Sequence, residues 1–479
     1  MLNQIRLAAL LLLFFINAQS QTVWSLQQCI DYALKNNISI KQSEINNAIN
    51  KGNIQTSVGS MMPSLNGSGN YNFNFGRNVD PYTYQFTNEE IRSGNASLNA
   101  NLVLFNGFEL QNTLKKSKLD YLAGKYDTDK IRNDVSLNVA TAYLQILYAK
   151  EQLKLAGNRV DAAIKNRNRM KALVDGGSMA KGSLMETEAQ LASEELAKVT
   201  AENTLKSAQL SLTQLLQLDS VAYIEIEVPA LDVPEQSVLT LSVEEIFSAS
   251  LANLPEIKSA EYKMQSAEKS VGIANGGRLP RLSMFGSIGS GYSSQTRQVN
   301  RLPFPTGDFG PTGDISVSPA FDTSYVLAPV FSSTEFEDTP FNDQIKNNLS
   351  KSVGISINIP LFNGFQVNNN VRRAKLNLEN SKLQKQLTYN TVFKSVQQAH
   401  NDVVAANNQY KASQKNVEAM QESFTYTEKK YNAGMANNYE YTLARNNLTK
   451  AQSDMLQSKY DFIFKLKVVD FYMGRPMSF

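Results

Sequence analysis

Two stretches of the chain alternate between polar and apolar residues and then give way to very long helical patterns. From Leu65 to Phe75 the odd positions are apolar, aromatic or Gly, and the even positions are Asn or Ser. Similar alternation covers 95–105, 281–292 and 351–360. A period of two predicts β-strands with one apolar face and one polar face that is almost uncharged. Strands of about 9–11 residues suit a tilted membrane strand, but the alternation fits half-buried hairpins of a soluble sheet equally well.

Long helical patterns follow each set of strands, over 108–174 and 365–431. From Val135 to Ala163 the apolar residues are spaced alternately by four and three, and Val396 to Tyr431 continue the same spacing in the second stretch. Sustained heptads predict coiled-coil packing. At 1.5 Å per residue each helix would be on the order of 100 Å long, far beyond an ordinary globular helix.

Each long helix is predicted to end at a Gly-containing turn. Gly176 and Gly177 follow the first helix, and Gly434 follows the second. Glycine is the residue that most readily takes the left-handed conformation that closes a helix. Return helices are predicted beyond the turns, over 179–218 and 439–473.

The same five residues, Leu-Phe-Asn-Gly-Phe, stand at both junctions between a strand and a long helix. The first copy contains Asn106-Gly107 and the second contains Asn363-Gly364, an offset of 257 (363 − 106). Asn-Gly tolerates the positive φ that such a corner needs. We therefore interpret these residues as strand-to-helix corners.

The second half of the chain is an internal copy of the first. One helix is predicted at the start of each half, ending before Pro63 and before Pro280, at an offset of 217 (280 − 63). The predicted domains are a first repeat over 21–240, which includes a linker at 220–240, and a second repeat over 241–479. The two offsets differ by 40 residues (257 − 217), which places an insertion in the loop between the strands of the second repeat.

Composition excludes several kinds of chemistry. The 479 residues include 47 Lys and Arg, 44 Asp and Glu, one His and one Cys. A net charge of +3 does not suggest nucleic-acid binding, and so few His and Cys argue against a metal centre. No nucleophile–base set or phosphate-binding loop is present, so we predict neither an enzyme nor a cofactor.

The N-terminus is typical of a secretory signal peptide, which we assign to residues 1–20. Arg6 provides a basic start, an apolar run follows, and Ala18-Gln19-Ser20 forms a small-x-small cleavage site. Cys29 lies beyond that site without the context of a lipid-attachment cysteine, so we do not predict lipidation.

Four short strands cannot close a water-filled barrel, and an open sheet edge is not tolerated in lipid. Three subunits would supply about twelve strands and would bundle their long helices below the barrel. The predicted fold is mainly α with membrane β: a coiled-coil α-helical barrel plus a transmembrane β-barrel of two hairpins per subunit, closed as a homotrimer.

The duplicated plan of helix, strand, loop, strand, Leu-Phe-Asn-Gly-Phe, long helix, Gly turn and return helix resembles the outer-membrane efflux proteins of the TolC-like type. The resemblance covers essentially the whole mature chain. It implies an outer-membrane channel that extends into the periplasm and forms the exit duct of a tripartite efflux pump or type I secretion system. The implied partners are a periplasmic adaptor and an inner-membrane transporter driven by protons or ATP.

The resemblance also implies roles for residues at the turns. The family narrows its tunnel with acidic residues early in the return helices, where this chain has Glu440, and Glu186 lies at the corresponding region of the first repeat. Three Glu440 side chains would form a cation-attracting periplasmic aperture, whereas a helix-start glutamate is also favoured by the helix dipole alone. Gly176, Gly177 and Gly434 match the tips that the adaptor contacts.

Other functions explain only part of the pattern. A secreted coiled-coil adhesive or structural protein without a lumen would account for the signal peptide and the heptads, but not for the uncharged polar strand faces. A simple porin would account for the strands and would leave the long helices without a role.

Overall fold

The structure is a computed structural model and describes residues 23–79, 84, 86–88, 90–218, 224–229, 241–317 and 323–475. The signal segment at 1–20 and most of the linker at 220–240 lie outside the described residues. The chain divides into a helical unit of Met1–Ile54, Lys115–Glu268 and Lys375–Phe479, and a second, strand-containing unit of Gln55–Leu114 and Lys269–Ala374. Each unit therefore takes residues from both repeats.

Helices make up most of the described chain, and they recur in the same order in the two repeats. In chain order the helices are α1 (Leu26–Asn36), α2 (Ile38–Gly59), α3 (Glu109–Asp175), α4 (Lys181–Leu216), α5 (Val243–Asn253), α6 (Pro255–Gly276), α7 (Phe341–Asn347), α8 (Gln366–Asn432) and α9 (Asn438–Tyr472). The long helices α3 and α8 have 67 residues each, which corresponds to about 100 Å. α1 and α5 are equal in length, and so are α2 and α6.

The first helix of each repeat is divided in two, which corrects the single helix expected from the sequence. In the first repeat the break lies at Asn37, whose φ and ψ are −58° and 126°. Its side-chain Oδ1 accepts a hydrogen bond from the backbone N–H of Ser39 at 2.9 Å, as an N-cap residue does. In the second repeat Leu254 takes the extended conformation because it precedes Pro255, which disfavours helical geometry at the residue before it.

Each repeat has its own hydrophobic core in the helical unit, and the heptad positions of its long helix contribute to it. In the first repeat Val139 and Ile146 of α3 pack against Leu212 of α4, and in the second Val396 and Val403 of α8 pack with Phe462 of α9. All of these side chains are buried. The seams read from the sequence therefore point into the cores.

The N-terminal segment and the linker meet at the core of the first repeat. Trp24 and Ile226 form a parallel β-bridge, and the Tyr143 hydroxyl donates to the backbone oxygens of Trp24 and Glu227, at 3.2 and 2.8 Å. Cys29 is fully buried beside this bridge. Burial raises the pKa of its thiol to about 12, so the thiol is protonated at neutral pH.

The second unit contains an antiparallel sheet of four strands. In chain order the strands are β1 (Ser64–Asn74), β2 (Asn78–Val79), β3 (Phe86–Thr87), β4 (Ile91–Asn106), β5 (Arg281–Ser293), β6 (Arg297–Arg301), β7 (Pro305–Val317), β8 (Thr323–Phe331), β9 (Glu335–Asp338) and β10 (Ser350–Asn358). The large sheet has the order β1-β4-β5-β10. The β1–β4 hairpin of the first repeat and the β5–β10 hairpin of the second repeat thus pair side by side through β4 and β5. β1 and β10 are the edges of this sheet.

The long loop of the second repeat is ordered into strands, although its sequence suggests no period. β6 pairs with β9, and β7 pairs with β8, so the insertion forms paired strands that end in a hairpin. Frequent Pro and Gly obscured the alternation of polar and apolar residues in this loop. Two register shifts interrupt the β7–β8 ladder. α7 then returns the chain to the large sheet, where the Gln344 side chain accepts from the backbone N–H of Ser293 at 2.9 Å.

Among the described residues, no helix combines the length and the apolar character that crossing a membrane would require.

Candidate functional site

The two strand-to-helix corners turn on a pair of left-handed residues. Gly107 and Phe108 have φ values of 64° and 66°, and Gly364 and Phe365 have values of 58° and 63°. Positive φ is free of strain for Gly but costs energy for a bulky residue such as Phe. The sequence predicted this geometry at Asn-Gly, whereas the structure places it at Gly and the Phe that follows.

Aromatic contacts hold both corners in the same way. The ring of Phe108 meets Phe105 edge-on with centroids 5.2 Å apart, and Phe365 meets Phe362 in the same manner at 5.7 Å. In the first corner, Asn106 Oδ1 also accepts from the backbone N–H of Leu110 at 3.3 Å. These contacts offset part of the strain at the left-handed Phe.

The corners differ in their surroundings. A Cβ added at Gly107 would overlap the backbone oxygen of Gly276 at the end of α6, whereas a Cβ at Gly364 would meet nothing within 4 Å. In the first corner glycine is therefore required both by its φ and by a close backbone approach. In the second corner only φ requires it.

One face of the four-stranded sheet is lined mainly by small, uncharged polar side chains, and the register also places the apolar Val103 and Phe285 on it. The register places Asn66, Asn99, Ser287 and Ser352 in one row across all four strands. Ser287 Oγ donates to Asn99 Oδ1 at 2.8 Å. On this face of β1, β4, β5 and β10, as far as the structure describes those strands, the charged side chain is that of Arg281, in the last row before the corners.

The opposite face of the sheet is apolar and exposed. Its rows bring together Leu65, Ala100, Gly286 and Val353, and further along Ile355 and Met284. Tyr71 and Phe73 extend the apolar surface toward the loops, and the exposed Phe108, Phe362 and Phe365 lie at the opposite end of the strands. Two charged residues, Arg92 and Lys351, also lie on this face by register.

Two glycines allow aromatic rings to lie flat on neighbouring strands. A Cβ at Gly94 would approach the Tyr71 ring to 2.9 Å, and a Cβ at Gly354 would approach the Phe285 ring to 2.6 Å. Aromatic cover of strand glycines fixes register in antiparallel sheets. These pairs could not be read from the sequence because they depend on the register.

The two Gly turns have the same backbone hydrogen bonds. After α3, Ser178 N–H donates to the Leu173 carbonyl at 2.8 Å, and after α8 Met435 N–H donates to the Lys430 carbonyl at the same distance. Gly177 and Gly434 have φ values of 73° and 74°. This is the Schellman arrangement. Gly176, which precedes Gly177, does not adopt a positive φ.

The two carboxylates predicted at the aperture lie early in the return helices. Glu440 is in the first turn of α9, where its backbone N–H donates to Asn437 Oδ1 at 2.9 Å and its carboxylate accepts from Asn437 Nδ2 at 3.3 Å. Glu186 lies in α4. Both side chains are exposed, and no hydrogen bond or ion pair joins them within the described chain.

An aromatic cluster beside the second Gly turn was missed by the sequence analysis. Tyr431 stacks on Tyr441 with ring centroids 4.6 Å apart, and the Arg169 guanidinium lies 5.1 Å from the Tyr431 ring. Burial raises the pKa of Tyr441, Glu428 raises it further, and Arg445 and Arg169 oppose the shift. The sequence feature that could have indicated this cluster is the extension of the heptad seam to Tyr431.

The chain is similar in sequence to outer-membrane efflux proteins. The model of the family described as "Outer membrane efflux protein" matches residues 29–217 and 246–474. The outer membrane efflux protein BepC of Brucella suis is 18% identical over 90% of this chain and 81% of its own. The outer membrane protein TolC of Escherichia coli is 22% identical over 71% of this chain and 60% of its own length.

Solved structures share the fold. The outer membrane protein VceC of Vibrio cholerae superimposes with a TM-score of 0.73, at 14% identity, over 95% of this chain and 97% of its own. The family model covers both repeats, including the helices and the sheet described above. The chain therefore belongs to the outer membrane efflux protein family, and it is a channel protein of the outer membrane that extends into the periplasm, not an enzyme.

Proposed function

We propose that three copies of the chain close one twelve-stranded barrel and serve as a passive exit duct, working with a periplasmic adaptor and an energised inner-membrane transporter. The observation that carries this proposal is a four-stranded sheet with two free edges and one exposed apolar face. The family assignment disfavours the alternative of a secreted coiled-coil protein without a lumen.

The strand directions suit closure with further copies. All neighbours in the order β1-β4-β5-β10 are antiparallel, so β1 and β10 run in opposite directions. β10 of one copy can then pair antiparallel with β1 of the next, and the alternation continues around a ring. Closure would satisfy the edge hydrogen bonds that lipid leaves unpaired.

The two faces of the sheet suit lipid outside and water inside. The rows with Leu65 and Val353 would face the hydrocarbon, with Tyr71 and Phe73 toward one interface and the corner Phe residues toward the other, as aromatic girdles do. Lys351 would extend its ammonium toward a headgroup. The Asn and Ser rows would line a wet lumen that has little preference for charge.

The helical unit also presents matching surfaces for a neighbouring copy. Ile38, Ile45 and Ile49 of α2 are exposed, and their spacing of seven and four recurs in the exposed Leu376, Leu383 and Leu387 of α8. Exposed apolar stripes on long helices indicate contact surfaces. We propose that α8 of one copy packs against α2 of the next and closes the helical tube.

The adaptor would dock at the two Gly turns. Gly176, Gly177 and Gly434 form short turns flanked by the exposed Met179, Met435 and Tyr439, which offer flexible and aromatic contacts. Gly177→Trp or Gly434→Trp should lower export activity while the trimer persists. A lost trimer would instead indicate that the turn is needed for folding.

Glu440 and Glu186 would guard the periplasmic aperture of this duct. A ring of Glu440 carboxylates would favour cations. Single-channel recordings test this: Glu440→Gln should lower cation preference, and Glu186→Gln should add a smaller change. Unchanged selectivity in both variants would leave Glu440 as a helix-capping residue, in keeping with its bonds to Asn437.

The first experiment is the protein mass from light scattering, with the detergent contribution subtracted. We expect a trimer that needs detergent. Cysteines placed on the β1 and β10 edges, in a Cys29→Ala background, should form disulfides between copies and produce covalent trimers. A monomer that stays soluble without detergent would contradict the duct.

A further inference from the structure

A cluster of the buried Arg445 and Glu194 and the partly buried Arg159 joins three helices of the helical unit. Arg445 of α9 lies 3.6 Å from Glu194 of α4, measured from Nη2 to Oε1, and their side chains are 9% and 10% exposed. Arg159 of α3 donates from Nη2 to the Thr449 backbone oxygen at 3.2 Å and to Ser453 Oγ at 3.1 Å. It therefore lies against α9, one to two turns from Arg445.

The cluster has more buried hydrogen-bond donors than acceptors. Nη1 and Nη2 of Arg445 and Nε of Arg159 are buried and make no hydrogen bond to the described residues. The Glu194 oxygen nearest to Arg445 already accepts from Gln190 Nε2 at 2.8 Å. Buried polar groups of native proteins are nearly always satisfied, so three donors without an acceptor call for a physical explanation.

The charges are also unbalanced. Two guanidiniums face one carboxylate, and one positive charge is left over. Burial lowers the pKa of Arg159, Glu194 opposes the shift and Arg445 adds to it. Guanidinium does not escape by losing its proton at physiological pH. An uncompensated charge in a buried position is unfavourable, so the remaining positive charge favours a bound counter-ion.

We propose that Arg159 and Arg445 bind a small inorganic anion of the halide class between α3, α4 and α9. One monovalent anion balances the remaining charge and accepts from N–H groups of Arg445 Nη1, Arg445 Nη2 and Arg159 Nε. Because Arg445 is buried and Arg159 is partly buried among the helices, a compact ion suits the site better than a bulky organic acid. The ion would tie α9 to α3, about three turns from Gly434 along α9 and about five turns from Gly177 along α3.

Bromide tests the site directly, since it can be located by anomalous scattering and substitutes for chloride. Crystals of the full chain grown in sodium bromide should give an anomalous peak within hydrogen-bond distance of Arg445 Nη1 or Nη2 and Arg159 Nε. An occupied site seen only with phosphate would assign it to an oxyanion and contradict the halide. Well-diffracting bromide crystals without a peak would overturn the proposal.

Thermal unfolding provides an independent measurement. Replacing sodium gluconate by sodium bromide at equal ionic strength should raise the unfolding midpoint by about 2 °C, because a ligand that binds only the folded state stabilises it. Arg445→Met should lose the shift. Arg132→Met, which removes a surface arginine paired with Glu44 and Asp129, is the matched control and should keep it.

A third variant covers the case in which Arg445→Met fails to fold. Ser453→Asp places a carboxylate where the serine hydroxyl now accepts from Arg159, and it should supply the missing charge. This variant should be at least as stable in gluconate as wild type in bromide, and insensitive to the halide. A Ser453→Asp chain that keeps the full bromide shift would contradict an anion at these arginines.

Discussion

At the scale of single residues, the duplicated corners allow one substitution to be compared in two environments. We expect Gly364→Ala to cost about 1 kcal/mol, the usual penalty for a left-handed L-residue. Gly107→Ala should cost at least about 3 kcal/mol, because its methyl group would also overlap the Gly276 backbone. Urea unfolding of the two variants measures the difference. Equal destabilisation of the two variants would show that the positive φ alone sets the cost of adding a methyl group.

Two glutamates of α6 should respond to pH in opposite ways. Burial raises the pKa of Glu256 above its ordinary value of 4.5. An acid that holds its proton more tightly in the folded chain lowers stability as pH rises from that ordinary value through the raised one. Glu256→Gln should therefore raise the unfolding midpoint at pH 8, and the gain should shrink as pH falls toward 4.5.

Glu261 of the same helix is the matched comparison. Hydrogen bonds from Lys385 and then Gln265 lower its pKa, so its stabilisation is present above pH 4.5 and is lost as pH falls through the lowered value. Glu261→Gln should lower the unfolding midpoint at pH 8, and the loss in unfolding free energy should be less than about 1 kcal/mol because solvent screens the Glu261–Lys385 pair. If Glu256→Gln and Glu261→Gln changed the unfolding midpoint at pH 8 in the same direction, these pKa shifts would be contradicted.

At the scale of elements, two side chains cap the start of α2 after the break: Gln217 Oε1 accepts from Ile38 N–H, and Asn37 Oδ1 accepts from Ser39 N–H. Asn37→Ala removes the oxygen that accepts from Ser39 N–H, and we expect it to cost about 1 kcal/mol. Asn36→Ala, one residue earlier within α1, should cost less than about 0.5 kcal/mol because alanine favours helix. Thermal unfolding of both variants tests this, and similar losses would argue against a cap at Asn37.

The elements also show what a sequence can and cannot predict. The seams through Val139 and Val396 were readable because burial repeats every heptad, and the strands were readable because polarity alternates. The break at Asn37 was not, because one Asn in a helical pattern is compatible with either outcome. β7 and β8 were hidden by Pro and Gly, and the Arg159–Glu194–Arg445 cluster joins residues far apart in sequence that only packing brings together.

At the scale of the whole molecule, the exposed apolar surfaces of the four-stranded sheet and of α2 and α8 have a place in the proposed trimer. The edges β1 and β10 would pair across copies, the apolar sheet face would meet lipid, and the α2 and α8 stripes would pack together. The same threefold closure would account for both free edges of the sheet and for the exposed stripes of α2 and α8. The duplication supplies the similar units from which such a ring is built.

The proposed contact between α8 and α2 of the next copy can be disrupted without changing the barrel. Leu383 and Ile45 are each 63% exposed, so in an isolated chain a charge at either position should be tolerated. In the trimer, Leu383→Glu should bury an unpaired carboxylate against α2 of the next copy and weaken assembly by about 2–4 kcal/mol. Light scattering across a dilution series in detergent measures the loss.

A compensating substitution on α2 and a control substitution at the residue next to Leu383 make this test specific. Ile45→Lys combined with Leu383→Glu should recover part of the trimer, because the two charges would pair across the contact. Lys382→Glu alters the adjacent exposed residue and should leave assembly intact, since Lys382 pairs only weakly with Glu379 on its own helix. If Leu383→Glu assembled like wild type, α8 would have to meet its neighbour through another face, and the barrel edges alone would hold the copies together.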